Sequence, residues 1–594
     1  MIRALPLVLA LAAGNVLADD PAWHLDTTRY FASPQAEADS RATLMAKLDA
    51  FATATSTPPT TAAELLALLR TDDALRRDLR LHALYVHLRA SDDTGDHDAA
   101  TADAALDAAA DRLAANLRRS LAPLGKPAVE AFAAQDTALR PFRYVVESSL
   151  RMPVVPAANQ QAVAQLAQPA LDSLENAYAE LRRQVLRPAQ PKPAADDRLA
   201  AFKAKWSPWL INEPAFAALL VPIATLQEGA AHLQGFATAA DAAYVGTGLT
   251  TAQVHGAVEA VRRSDAWTRY AAVVADAAAR RLNVAPDALK PWDMDAADGW
   301  QPQTIPFAEA VPLILAADRR AGPVISGEFE QLFDPKNARV DWCRAKTCDD
   351  TGFSVGTVGA TTGLFYGGFD GSTNAVRAVA HEAGHAIHRQ FMAEHQPIAA
   401  YNGGPKFMSE SFAIFNELLL LDHLGRTATT PAAQAYYLRR FLDDAVFQVF
   451  GSAEETELEE TLHADIAAGK ARTAADLDAR TLATLAAFTP RPLMADETKA
   501  YWARNKLYFI DPFYDVNYLF AGLLALEYLR QFERDPQDFE RRYVALQGNG
   551  FDDTAAALLK RFMQIDIDDP DTLVRGATGL IATRSATLAA LYAR

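Results

Sequence analysis

The sequence predicts a mostly α-helical protein of two lobes, with one small β-hairpin or sheet beside a central helix. Three observations carry this. Alanine dominates a composition that is 50% hydrophobic and 22% charged, and β-branched runs are few, which favours helix. The chain has 594 residues, more than one simple core holds, so two or more lobes are expected. Only between residues 329 and 372 does the texture change. There TGFSVGTVGATTGLFYGGFDGST is rich in Gly, Thr, Val and Phe and reads as two short strands, near 352–357 and 363–369. The net charge of −17 comes without a basic stripe, which argues against nucleic-acid binding.

In chain order, MIRALPLVLALAAGNVLADD comes first and has the form of a secretory signal. Arg3 supplies the positive start, residues 5–13 a short apolar run, and Val16-Leu17-Ala18 a small-residue cleavage site before Asp19. Loss of residues 1–18 removes Arg3, so the mature charge becomes −17 − 1 = −18. An exported protein, periplasmic or secreted, is expected. The apolar run is too short to span a bilayer, and no later stretch reads as a membrane span.

Helix then follows helix from about residue 36 to 186, with breaks at Thr57-Pro58-Pro59, Asp92-Asp93-Thr94-Gly95 and Pro123. RPAQPKP at 187–193 is the clearest connector. It divides an N-terminal helical region, 19–190, from a region 191–594 whose chemistry is concentrated in 350–530. His82, His87, His232 and His255 lie in helical texture and read as structural histidines. Cys343 and Cys348 are the two cysteines, in DWCRAKTCDD. A short-loop disulfide and a pair of free thiols both fit that spacing.

The chemistry centres on His381-Glu382-Ala383-Gly384-His385. The run 372–394 has no proline, Ser372 or Thr373 serves as N-cap, and Ala375, Val376, Val379, Ala380, Ala383, Ile387 and Phe391 recur at helical spacing. Residues four apart share a helix face, so His381 and His385 can reach one ion, zinc being the usual occupant. Glu382 is displaced around the helix and placed to take a proton from water there.

A second helix follows the Tyr401-Asn402-Gly403-Gly404-Pro405 loop and is expected to end at Gly425. It carries Glu410 as third ligand, leaving one zinc position open. Glu417, two turns further along the same face, can orient a ligating histidine. His388 lies two turns after His381 on the same face, where it either supports a ligating side chain from behind or is unrelated to the metal, and is not a fourth ligand. The strand beside the metal helix is a natural edge for an extended peptide. Further on, Asp511-Pro512 reads as a helix start, and Tyr514 and Tyr518 share a face of that helix.

HEAGHAIH followed by SESFAIFNELLL resembles the thimet oligopeptidase and oligoendopeptidase F family of zinc peptidases. SVGTVGATTGLFYGGFDGSTNAVRAVA is similar to the substrate-strand region of the oligoendopeptidase F branch, and Trp23-His24-Leu25-Asp26 to its opening motif. The resemblance implies a two-lobed helical zincin-type body with a deep channel, one Zn2+ per chain, and hydrolysis of short unstructured oligopeptides with Glu382 as general base. It also places Tyr514 and Tyr518, in YFIDPFYDVNYLFAG, opposite the metal. Relatives carry a histidine ahead of this tyrosine pair; this chain has Tyr508 near that place, so no role transfers. A dipeptidyl carboxypeptidase of the angiotensin-converting type shares the ligand chemistry. A non-catalytic periplasmic zinc- or peptide-binding protein has no use for Glu382. Oligomeric state is not written in the sequence.

Overall fold

The structure, a computed structural model, describes residues 23–151, 155, 157–186, 197–345, 347–490 and 493–594. The signal-like residues 1–18 and the connector 187–193 lie outside them. The described chain is mostly helical with one three-stranded sheet, in keeping with the fold class that composition predicts.

The chain opens with α1 (Pro34–Ala54), α2 (Ala62–Asp92), α3 (His97–Leu121), α4 (Gly125–Gln135) and α5 (Arg143–Arg151). Ser33, Thr61 and Asp96 cap the first three by accepting from backbone N–H groups that a helix start leaves unpaired. Leu44, Leu75, Leu79, Leu106 and Leu113 meet in one core, and Leu65, Leu69, Leu117 and Phe142 in another. His82 is buried and held by Glu37 at 2.8 Å, a structural histidine.

Next come α6 (Ala157–Ala162), α7 (Gln168–Leu186) and α8 (Arg198–Leu233). Helix α7 precedes residue 190, yet it shares a core with α8 and residues 458–509, where Tyr178 stacks on Phe509 at 4.0 Å. One expectation needs correction. Helix α8 is long and apolar enough, by length and composition, to cross a membrane. Its Trp206, Trp209, Phe216 and Ile223 are buried against protein, and Pro208, Pro214 and Pro222 remove donors from its ladder. Then α9 (Ala239–Thr247), α10 (Thr251–Arg262), α11 (Ala266–Leu282), α12 (Phe307–Asp318) and α13 (Pro323–Leu332) wall the largest core.

The sheet comprises β1 (Val340–Trp342), β2 (Gly352–Thr357) and β3 (Ala360–Tyr366), in the order β1-β3-β2. β1 runs parallel to β3, and β2 antiparallel to it with Ser354 opposite Leu364. The second strand begins and ends earlier than its glycine pattern suggests. Gly359, at φ 80°, closes a tight hairpin after β2, and Gly367 already leaves the ladder to bond Thr351 O. β1 has three residues, too few for alternation to register in sequence. Its outer edge is covered by the opening segment: Trp342 N–H donates to Trp23 O and Asp26 N–H to Ala338 O. The outer edge of β2 makes no backbone hydrogen bonds among the described residues.

The remaining helices are α14 (Thr373–His395), α15 (Lys406–Thr427), α16 (Pro431–Val446), α17 (Ser452–Ala467), α18 (Ala474–Phe488), α19 (Tyr501–Arg504), α20 (Leu507–Ile510), α21 (Asp515–Arg534), α22 (Pro536–Asn549), α23 (Ala555–Leu558) and α24 (Pro570–Tyr592). Ser372 caps α14 as its position predicts, accepting from Ala375 N–H at 3.1 Å. Helix α15 is buried almost all round and packs between α14 and α21, which makes it the axis of this half. It runs through Gly425, where an end was expected. That glycine faces α16, and a Cβ there would lie 3.7 Å from Tyr437 Cβ, in ordinary contact, so the position asks for neither a helix end nor a glycine. Helix α21 starts at Asp515, later than Asp511-Pro512 suggests, because Phe513 sits at φ 62°, a conformation no helix passes through. Its ring packs on His463, with centroids 4.6 Å apart.

A buried carboxyl layer on α17 anchors the start of α21. Glu455 accepts from Tyr501 Oη, Asp515 from Asn505 Nδ2 at 2.8 Å, and Glu454 from Thr489 Oγ1 at 2.5 Å. Burial, opposed by the Thr489 bond, pushes Glu454 up to about 7. The folded chain then holds a proton that the unfolded chain releases near 4.5, so this group's contribution falls as pH rises from about 4.5 towards 7. Glu454→Gln should therefore lose less Tm than the parent between about pH 5 and pH 8. Parallel losses in the two proteins would mean that Glu454 is already ionised in the fold.

Candidate metal centre

The three-residue donor set depends on how α14 lies on α15. Gly384 faces α15, and a Cβ there would come within 2.4 Å of Asn416 Nδ2 and 3.1 Å of Ala413 Cα. The glycine in H-E-x-G-H is thus a packing requirement: it lets the backbones approach closely enough for side chains of both helices to meet.

His381 and His385 project from one face of α14 with ring centroids 4.8 Å apart. Glu410 Oε2, from α15, lies 3.4 Å from His381 Nε2 and 3.7 Å from His385 Nε2. The three side chains are 19%, 15% and 15% exposed, so the cluster is backed by protein and open to water on one side. Among the described residues, these are the His, Cys, Asp and Glu side chains whose ligand atoms all lie within 4.8 Å of one another. A tetrahedral ion about 2.0–2.1 Å from each ligand sets the ligand atoms roughly 3.3–3.4 Å apart, so this donor set fits zinc.

Glu417 stands behind His381. His381 Nδ1 pairs with Glu417 Oε1 at 2.5 Å, a bond that keeps a proton on Nδ1 and turns Nε2 towards Glu410. Arg377, one turn before His381, holds the other Glu417 oxygen at 2.7 Å and also pairs with Asp444. Burial raises Glu417, but Arg377 and His381 outweigh it and the carboxyl sits below its usual range. Burial likewise raises Glu410, and the two histidines drive it far below that range. His381 is pulled down by burial, yet Glu417 and Glu410 lift it well above an ordinary imidazole. The cluster is built to hold positive charge among its members. Sequence reasoning missed Arg377 and Asp444; Arg377 could have been found, because it lies four residues before His381 on the same face.

Glu382 turns towards β2. Were Gly352 to carry a Cβ, it would lie 3.0 Å from Glu382 Cγ and 2.7 Å from the Tyr366 ring, so only glycine fits this part of the strand. Among the described residues the Glu382 carboxylate has no ion pair within 4 Å. Tyr514 and Tyr518 face the cluster from the start of α21, with rings 5.1 Å apart. Tyr514 Oη donates to Glu410 Oε1 at 3.3 Å. Burial and then the Glu410 charge raise both phenols, so each stays protonated and able to donate.

Two other positions fall outside the cluster. His388 is 3% exposed and packs on Phe412 and Phe551, with centroids 4.5 and 5.7 Å away. Burial holds it well below its ordinary value, so it is a neutral core histidine rather than a partner of the ligands. Tyr508 is fully buried and donates to Glu455 O at 2.9 Å, away from the site. Cys343 and Cys348 are joined in a disulfide beside the sheet.

Comparison with known proteins agrees with this geometry. Residues 368–575 match peptidase family M3. An oligoendopeptidase F homologue of Borreliella burgdorferi is 24% identical over 198 residues, and the match spans 33% of this chain and 33% of that relative. A structure from Chlamydophila abortus superposes with a TM-score of 0.78 at 19% identity, covering 96% of this chain and 98% of that one. Oligoendopeptidase-F from Enterococcus faecium gives 0.65 at 17% identity, covering 92% and 97%. Residues 368–575 of this chain are thus similar to peptidase family M3, and the chain as a whole shares the helical fold of the oligoendopeptidase F structures.

Proposed function

We propose that the protein is a zinc-dependent oligoendopeptidase that hydrolyses short, unstructured peptides after export from the cytoplasm. The observation that carries this is the convergence of His381, His385 and Glu410 beside a free carboxylate, Glu382, under the open edge of β2. His381 Nε2, His385 Nε2 and the Glu410 carboxylate would hold the metal. When bound there, zinc supplies a Lewis acid that polarises the scissile carbonyl and acidifies water.

The chain's own groups do the rest. The free N–H and C=O groups of β2 bind an extended peptide main chain as an added strand. The Glu382 carboxylate accepts the proton of the attacking water and passes it to the leaving nitrogen. Glu417 keeps His381 in one tautomer, and Arg377 keeps Glu417 ionised despite burial. Tyr514 Oη, already in reach of Glu410, is placed to donate to the oxyanion as charge develops. Helix α2 of the N-terminal lobe packs over the sheet and residues 399–402, which favours peptides over folded proteins. The disulfide suits an oxidising compartment, in line with the signal-like start. A peptide amidated at its C-terminus separates this reading from a dipeptidyl carboxypeptidase, since only an endopeptidase cleaves it.

Metal analysis of the mature protein should find about one zinc per chain, and His381→Ala or Glu410→Ala should lower zinc content and peptide cleavage together. Full zinc occupancy in both variants would overturn the ligand assignment. Glu382→Gln should keep its zinc and lose several orders of magnitude in kcat, on the order of what removal of an essential base costs. Near-normal turnover would mean that another group takes the proton. Tyr514→Phe removes one hydroxyl and should lower kcat about 10²- to 10³-fold with little change in KM or zinc content. If it and Tyr518→Phe both retain parental kcat/KM, neither phenol stabilises the oxyanion.

A further inference from the structure

The metal helix also carries a cation that no carboxylate among the described residues contacts as an ion pair. Arg389 lies one turn past His385 on α14 and is half-buried. Its Nε donates to Ser354 Oγ on β2 at 2.9 Å. Among the described residues no carboxylate pairs with it within 4 Å, although the charge of Glu382 reaches it and partly offsets the effect of burial. A second guanidinium comes from the other lobe. Arg80 of α2 donates from Nη1 to Ala399 O at 2.5 Å, and its Nη2 lies against Gly403. Its neighbours Arg76 and Arg77 already have Asp72 and Asp73; Arg80 has no such partner among the described residues. Burial first, then the charges of Arg76 and Arg389, opposed by that of Asp73, push Arg80 down to about 10. Two half-buried guanidinium groups in each other's field are unfavourable alone and become favourable when an anion joins them.

Their place on the sheet says which anion. Gly352 and Ser354 lie on the same face of β2, the face covered by α14: Gly352 abuts Glu382 and Ser354 bonds Arg389. These positions are about 6.6 Å apart along the strand, and an extended peptide added to its edge keeps that repeat. A peptide residue two positions from the one beside Glu382 therefore arrives at Arg389.

We propose that Arg389, with Arg80, forms a carboxylate-binding subsite that selects peptides bearing a carboxylate two residues from the one beside Glu382. This rests on the peptidase reading. The carboxylate is that of an Asp or Glu side chain or that of the peptide's C-terminus.

The test uses the zinc-loaded protein and matched peptides. One set carries Glu or Gln at the second or third residue on either side of the scissile bond, and the other ends at the second or third residue beyond that bond as free acid or amide. The charged member should have at least about ten-fold higher kcat/KM, as expected for a charge-assisted pair. The set that shows the advantage identifies the source. Arg389→Gln and Arg80→Gln should shrink the ratio towards one through KM, and Arg389→Lys should retain part of it. Equal kcat/KM for charged and neutral peptides in the parent protein overturns the subsite, whether or not any variant folds. Binding of the same fluorescently labelled peptides to Glu382→Gln gives a readout without turnover. If the parent cleaves no peptide, the peptidase reading fails. The subsite then stands on tighter binding of the charged peptides, and equal binding overturns it.

Discussion

The close approach of α14 to α15 is the contact on which the rest depends. Gly384 removes the one Cβ that would hold the helices apart, and Asn416 and the Ala413 backbone fill the space. At that separation the histidines of one helix reach the carboxylates of the other. Helix α15 cannot shift to accommodate error, since Phe407, Phe412, Phe415 and Leu419 bury it on several sides at once. Each such side chain contributes about 1.5–3 kcal/mol by leaving water, so the position of Glu410 is fixed by packing rather than by the ion.

The same packing sets the electrostatics. Glu410, Glu417 and two imidazoles crowd a site that is mostly shielded from solvent, and Arg377 offsets them from the protein side. Glu417 is held ionised between Arg377 and His381, and that pairing decides which imidazole nitrogen carries hydrogen. An arrangement of this kind is costly to bury without a cation and favourable with one. The tyrosines approach on a helix whose first residue, Asp515, is held by Asn505 and whose start is turned by the left-handed Phe513. Two unrelated structural devices, a glycine contact and a strained turn, thus converge on one small volume.

The sheet contributes through its asymmetry. The opening segment covers β1, whereas β2 keeps its outer edge free and lies against Glu382. Exposed edges invite pairing and are normally blunted. Here the free edge is short and sits under α2 of the N-terminal lobe, whose Arg80 extends towards the same region. The position explains how an edge can stay open without becoming a site of aggregation.

Much of this was legible in the sequence because it is local. Helical periodicity and the Ser372 cap define α14, four-residue spacing places His381 and His385 on one face, and the glycine-rich change of texture marks β2 with its observed bounds. Those features follow from the geometry of single elements, which one sequence carries whole. What the sequence misplaced or left unmarked depends on contacts between distant residues. Gly425 ends no helix, since α15 runs on to Thr427 beside α16, and Phe513 delays α21 with its ring held by His463. His388 shares the face of the ligands by count, yet it is taken up by Phe412 of α15 and by Phe551 from the turn between α22 and α23. The bond from Arg80 to Ala399 O joins residues more than three hundred positions apart in the chain. Such pairs are fixed by which faces the core buries, a property of the assembled chain that no local pattern encodes.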